Sequence, residues 1–159
     1  MPDLIVARVV HVLAIVLWIG GVAMVTTVLL PAVRKLKTPG ERIAFFDRIE
    51  RGFALQARVT TLVAGASGFY LVFRLGAWSR FGYVEYWWMH AMVLVWTIFT
   101  LVLFVMEPLF LHRWISERAQ RNPDAALSMI SRLHWVLLGL SLLAVAGAVA
   151  GSHGLSSAG

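Results

Sequence analysis

The sequence predicts an all-α fold, an integral membrane four-helix bundle with both termini on the periplasmic (outer) side. Three observations lead there. Of the 159 residues, 60% are hydrophobic and only 14% are charged, whereas soluble domains carry about a quarter charged residues. The apolar residues gather into four segments, each long enough to cross about 30 Å of hydrocarbon as about 20 helical residues. The basic residues, which bring the formal net charge to +6, collect between these segments in alternate connections.

The first segment runs over about residues 4–30 and is expected to stop at Pro31. It lacks the basic start and small-residue cleavage site of a secretory signal, so it is read as a retained span. The connection "RKLKTPGERIAFFDRIERG" follows, with Arg34, Lys35, Lys37, Arg42, Arg48 and Arg51 against Glu41, Asp47 and Glu50. After its Pro-Gly turn, Ile43, Phe45, Phe46 and Ile49 suggest a short amphipathic helix over about 41–51. The second segment covers about 53–73 and leads into the aromatic-rich "RLGAWSRFGYVEY", whose only bases are Arg74 and Arg80. The third covers about 86–111, with Pro108 as an expected kink. The connection "HRWISERAQRNPDAALS" brings Arg113, Arg118 and Arg121, and the fourth segment covers about 130–151. The whole chain, 1–159, reads as one transmembrane domain.

Short Lys- and Arg-rich loops stay cytoplasmic. That rule puts the first and third connections inside a bacterial inner (cytoplasmic) membrane, both termini outside, and Tyr83, Tyr86, Trp87 and Trp88 in an aromatic belt at the outer interface. The bases are not interleaved with aromatics along one face, so nucleic acid is not an expected partner; membrane lipid is. Cysteine is absent, which excludes disulfides, iron–sulfur clusters and covalent haem attachment. Small residues at Ala64 to Gly68, and Gly147 with Gly151, mark faces for close helix packing or homo-oligomerisation. No nucleophile elbow, paired carboxylates or HExxH motif is present.

The histidines carry what chemistry the sequence offers. His11 and His90 fall in the outer half of the bundle, His112 and His134 in the inner half, and His153 just past the fourth helix. A polar side chain in hydrocarbon is costly unless it is satisfied. Histidines on facing helices are a common way for a bundle to hold haem b, one imidazole on each side of the iron. His11 with His90 would ligate an outer haem, and His112 with His134 an inner one. Arg8, Arg58 or Arg74 would meet the propionates; alternatively Arg8 and Arg58 snorkel or pair with Asp3 or Glu107. Glu107, beside Pro108, is read first as an interfacial acid at a helix end. Met89 and Met92 flank His90, and copper(I), which favours thioethers, is the alternative metal.

These residues resemble a known family. "HVLAIVLWIGG" with a proline at the helix end is similar to the first helix of CopD-like copper-resistance membrane proteins and of the related HemJ-type protoporphyrinogen oxidases. "WMHAM" resembles the W-x-H-x-K stretch of the HemJ type, and "LHWVLLGLSLLAVAGAVAGSHG" the last helix of CopD-like proteins. The resemblance implies a haem b-binding four-helix bundle with His11 and His90 at the family's histidine positions. Met92 stands where HemJ-type enzymes carry lysine, which favours a cytochrome over the oxidase. The expected function is therefore a membrane b-type cytochrome with one or two haems, exchanging electrons with quinone or a periplasmic redox protein. A copper-transport protein, a haem-dependent oxidoreductase of the HemJ kind and a structural subunit with hydrogen-bonded histidines are the alternatives.

Overall fold

The computed structural model describes residues 2–35, 38–111, 117–118 and 121–153, and the secondary structure among them is helical throughout. Helix α1 (Pro2–Met24) passes through a π-helical turn, Val25–Leu29, into α2 (Leu30–Arg34). The long α3 (Pro39–Arg74) follows, then two short 3₁₀ turns, Ala77–Gly82 and Val84–Tyr86. Helix α4 (Trp87–Leu101) continues as a π-helical stretch, Val102–Leu111, and α5 (Pro123–Ser152) completes the bundle.

Several boundaries differ from the sequence expectation, each for a local reason. Pro31 does not stop the first helix. The Leu30 N–H reaches back to the Val25 carbonyl, so a new α-helical ladder starts at Leu30 and Pro31 sits in its first turn, where a missing N–H costs no bond. The amphipathic segment over 41–51 and the span over 53–73 are one continuous helix. Thr38 and Glu41 cap it reciprocally and Pro39 opens it, a strong start signal, and Gly52 alone does not break it. The α-helical ladder after Trp87 ends at Leu101, before Pro108, which lies inside the π-helical stretch. Finally, α5 begins two turns before residue 130, because the Asn122 side chain accepts from the Ala125 N–H at 3.0 Å and Pro123 takes the first helical position.

Among the described residues three helical stretches are long and apolar enough to cross a membrane: Pro2–Arg34, Val84–Glu107 and Pro123–Ser152, with mean hydropathy 2.4, 2.2 and 2.0. Most of each apolar window faces outward rather than into the bundle, as a lipid-facing surface does. Helix α3 has the length but is diluted by Gln56, Arg58, Thr60, Thr61 and Ser67. It packs most closely on α1, while α5 packs most closely on α4. One core cluster joins Val25, Leu29, Leu30 and Val33 to Phe46, Leu127 and Ile130 at the basic end of the bundle. A second, at mid-height, gathers Ala14, Trp18, Ala64, Val95, Phe99 and Ala144, with Trp18 edge-on to Phe99 at 4.8 Å between centroids.

Backbone groups in hydrocarbon must be satisfied internally, and hydroxyls follow the same rule. Thr26, Thr60, Ser67, Thr97, Thr100 and Ser141 each donate to the carbonyl four residues back, at 2.6–2.8 Å. Such back-bonding removes a donor from lipid without a partner helix.

Candidate functional site

The polar groups in the bundle line up along α3. At its far end Tyr70 donates to Asp3 at 3.0 Å and Arg74 pairs with the same carboxylate at 2.8 Å. One turn or more inward, His11 Nδ1 lies 2.9 Å from the Ala64 carbonyl and 3.1 Å from Ser67 Oγ. Further in, Gln56 donates to the Leu17 carbonyl at 3.2 Å. Arg58 lies on the same stretch, pairing with Glu107 at 3.1 Å and donating through Nε to the Leu103 carbonyl at 3.2 Å. Asp3 therefore pairs with Arg74, and Glu107, read first as an interfacial acid with an arginine pair as an alternative, is tied to Arg58. Both Glu107 and Leu103 lie in the π-helical stretch, a geometry often found at functional positions. Arg8 is exposed, with no polar partner among the described residues.

Hydrogen bonding fixes the proton on each imidazole, because a carbonyl only accepts. His11 carries its proton on Nδ1, shared between the Ala64 carbonyl and Ser67 Oγ, whose own hydroxyl donates to Val63 at 2.6 Å. Nε2 is thereby left with a lone pair. His134 repeats the pattern with the Ile130 carbonyl at 2.9 Å, and its ring meets Phe46 edge-on at 6.5 Å. His90 is reversed: Nε2 donates to the Phe81 carbonyl at 3.0 Å, and the exposed side chain turns toward the 3₁₀ turn. His153 bonds to Val149 in its own helix. His112 lies outside the described residues.

The expected pairing of His11 with His90 is thus not drawn together: the two imidazoles bond to different elements, one inside the bundle and one outside it. Met92 packs against the central core while the His90 side chain is exposed, so the two side chains have different surroundings. Among the described residues no group of three or more His, Asp or Glu side chains gathers around a metal position.

The small residues have found occupants. A Cβ at Gly68 would stand 2.9 Å from His11 Cε1, one at Gly65 2.5 Å from the Trp96 indole, and one at Gly147 2.5 Å from the Trp87 ring. At Gly151 it would collide with the Trp88 indole. Trp87 and Trp88 are thus both seated on α5, Trp87 with one side still exposed, and Tyr83 is exposed. Trp96 also donates to the Thr61 carbonyl at 2.9 Å.

A haem was expected, and the residues meet its requirements in part. A metal-ligating imidazole keeps one nitrogen for the metal and donates through the other to a carbonyl or carboxylate; His11 and His134 have that arrangement and His90 has it with the nitrogens exchanged. Three buried polar atoms, Trp18 Nε1, Thr61 Oγ1 and Trp88 Nε1, have no partner among the described residues, and such orphans call for an occupant. The donor chemistry fits haem at His11 and His134. The His11 ring itself rests on Gly68, and the Trp96 ring rests on Gly65 one turn away.

No family model, curated protein or solved structure matches the chain.

Proposed function

We propose that the chain is a membrane redox protein of the b-type cytochrome class, crossing a bacterial inner membrane four times with both termini outside. The observation that carries the reading is the His11 imidazole, held by Ala64 and Ser67 with Nε2 left as a donor. His134 is the second prepared donor, at the inner level. Bound haem b would supply one-electron chemistry, exchanged with quinone or a periplasmic redox protein. The chain's own residues would orient the imidazoles, exclude water and, through Arg58, offer a cation beside the core. Crossing by α3 is supported by its 36 residues and by the way its polar side chains turn to α1 and the π-helical stretch rather than to lipid. The basic residues around residues 34–51 and 113–121 support the orientation.

The test is colour. Protein purified in mild detergent from cells supplied with haem should give a reduced-minus-oxidised Soret difference and a pyridine haemochrome of the b type. His11→Ala should remove one haem equivalent, His134→Ala should affect only an inner haem, and His90→Ala should retain the outer band if its outward orientation persists. A colourless parent would end the reading. It would leave the structural alternative, which has its own support: every described histidine is hydrogen-bonded to a backbone carbonyl.

A further inference from the structure

We infer that the basic end of the bundle carries a binding site for the headgroup of an anionic glycerophospholipid. An open groove of about 590 Å³ lies between the end of the first helix and the start of α5, lined by Arg34, Ser128, Ser131, Arg132, Trp135 and Val136. No acid lines it, and neither arginine has an ion pair among the described residues. That is unlike Arg42, Arg58 and Arg74, which meet Asp124, Glu107 and Asp3. Two guanidinium groups with planar forks and no carboxylate between them suit a phosphodiester, which accepts from both.

The hydroxyls point the same way. Hydroxyls deeper in the bundle close onto the carbonyl four residues back, but Ser128 and Ser131 make no such bond among the described residues. They remain open to donate to a headgroup. The α5 residues of the groove recur at helical spacing, so Ser128, Ser131, Arg132 and Trp135 share one face. Continued toward mid-height, that stripe passes Gly139 and reaches Leu142 and Leu143, which are 53% and 58% exposed. A lipid would thus find cations and hydroxyls for its phosphate, an indole at headgroup depth, and an apolar track for its chain. Tryptophan favours that interfacial level, and basic pockets between helices are a known headgroup chemistry. A free phosphate would use the arginines but not the track, so the site is assigned to a lipid.

The experiment uses delipidated full-length protein in mild detergent, titrated with phosphatidylglycerol, with phosphatidylcholine of the same chains, or with inorganic phosphate. The thermal unfolding midpoint is the readout. Phosphatidylglycerol should raise it where phosphatidylcholine does not, and Arg34→Gln/Arg132→Gln should raise the half-saturating concentration about tenfold or more. Arg48→Gln/Arg121→Gln, which removes the same charge from the same end, should leave it within about twofold. An equal response to phosphatidylcholine, or an equal loss in the control pair, would overturn the site. An equal response to inorganic phosphate would overturn its assignment to lipid. If the double variant does not fold, brominated lipids decide with the parent and Trp135→Phe. Quenching by brominated phosphatidylglycerol that exceeds that of brominated phosphatidylcholine, and falls on loss of Trp135, supports the site; equal quenching by the two overturns it.

Discussion

The two helix pairs of the bundle are joined by different means. Helices α1 and α3 are laced by hydrogen bonds at three levels: Asp3 with Tyr70 and Arg74, His11 with Ala64 and Ser67, and Leu17 with Gln56. Helices α4 and α5 share no side-chain hydrogen bond among the described residues; the Trp87 and Trp88 rings rest on Gly147 and Gly151 instead. The difference shows two solutions to one problem. Lipid tails are as apolar as leucine, so association in a membrane comes from close packing or from polar contacts. One pair uses polar ties spread along its length, and the other concentrates its complementarity at two glycines.

The contrast is most easily broken at those glycines. Gly147→Val/Gly151→Val forces two indoles off α5, and overpacking at about 1–3 kcal/mol per site should lower stability by about 2–6 kcal/mol in a detergent-denaturation titration. A loss below about 1 kcal/mol would mean that the rings move freely and the seats are not specific. Next in size is the tie between the pairs. Glu107→Gln leaves the Arg58 charge alone in a half-exposed position, and a cost of about 1–3 kcal/mol lies between exposed and buried ion pairs. Arg58→Gln/Glu107→Gln should recover part of that loss; a double variant as damaged as the sum of both singles would show that the two do not act as a pair. Smallest are the individual laces. Ser67→Ala and Gln56→Leu should each cost about 0.6 kcal/mol by the same titration. A single lace worth several times that would remove the distinction between distributed and concentrated association.

The sequence made the apolar spans and the alternation of basic loops legible, because hydropathy is local, whereas the caps at Thr38 and Asn122 start α3 and α5 earlier than hydropathy alone suggests. It offered the Arg58–Glu107 pairing as one option among several, because a charge within an apolar segment calls for a partner. Other features depend on rotation about a helix axis, which depth does not specify. His11 and His90 both read as outer-half residues, yet one bonds to Ala64 within the bundle and the other, exposed, bonds to Phe81. The sequence places Trp88 near the interface but does not show that its ring rests on Gly151. The π-helical turn over Val25–Leu29 leaves no mark in composition, so Pro31 looked like a terminator. The merging of the amphipathic segment with the following span was hidden by Gly52 and by a change in charge that alters the surroundings but not the helix.

That merged helix has a mechanical consequence. Its 36 residues extend about 54 Å at 1.5 Å per residue, whereas a bilayer with its headgroups is about 40–45 Å thick. In the proposed orientation the residues before Phe53 form a rigid boom, continuous with the spanning part and pivoting with it. A tilt of about ten degrees would swing the tip of a boom of about 20 Å sideways by about 3–4 Å. Near that tip Arg42 grips Asp124 at the start of α5. Membranes of different thickness set helix tilt, so bilayer thickness would be converted into a load on the contacts between the boom and α5, the Arg42–Asp124 pair and the packing of Phe46 on Leu127 and Ile130.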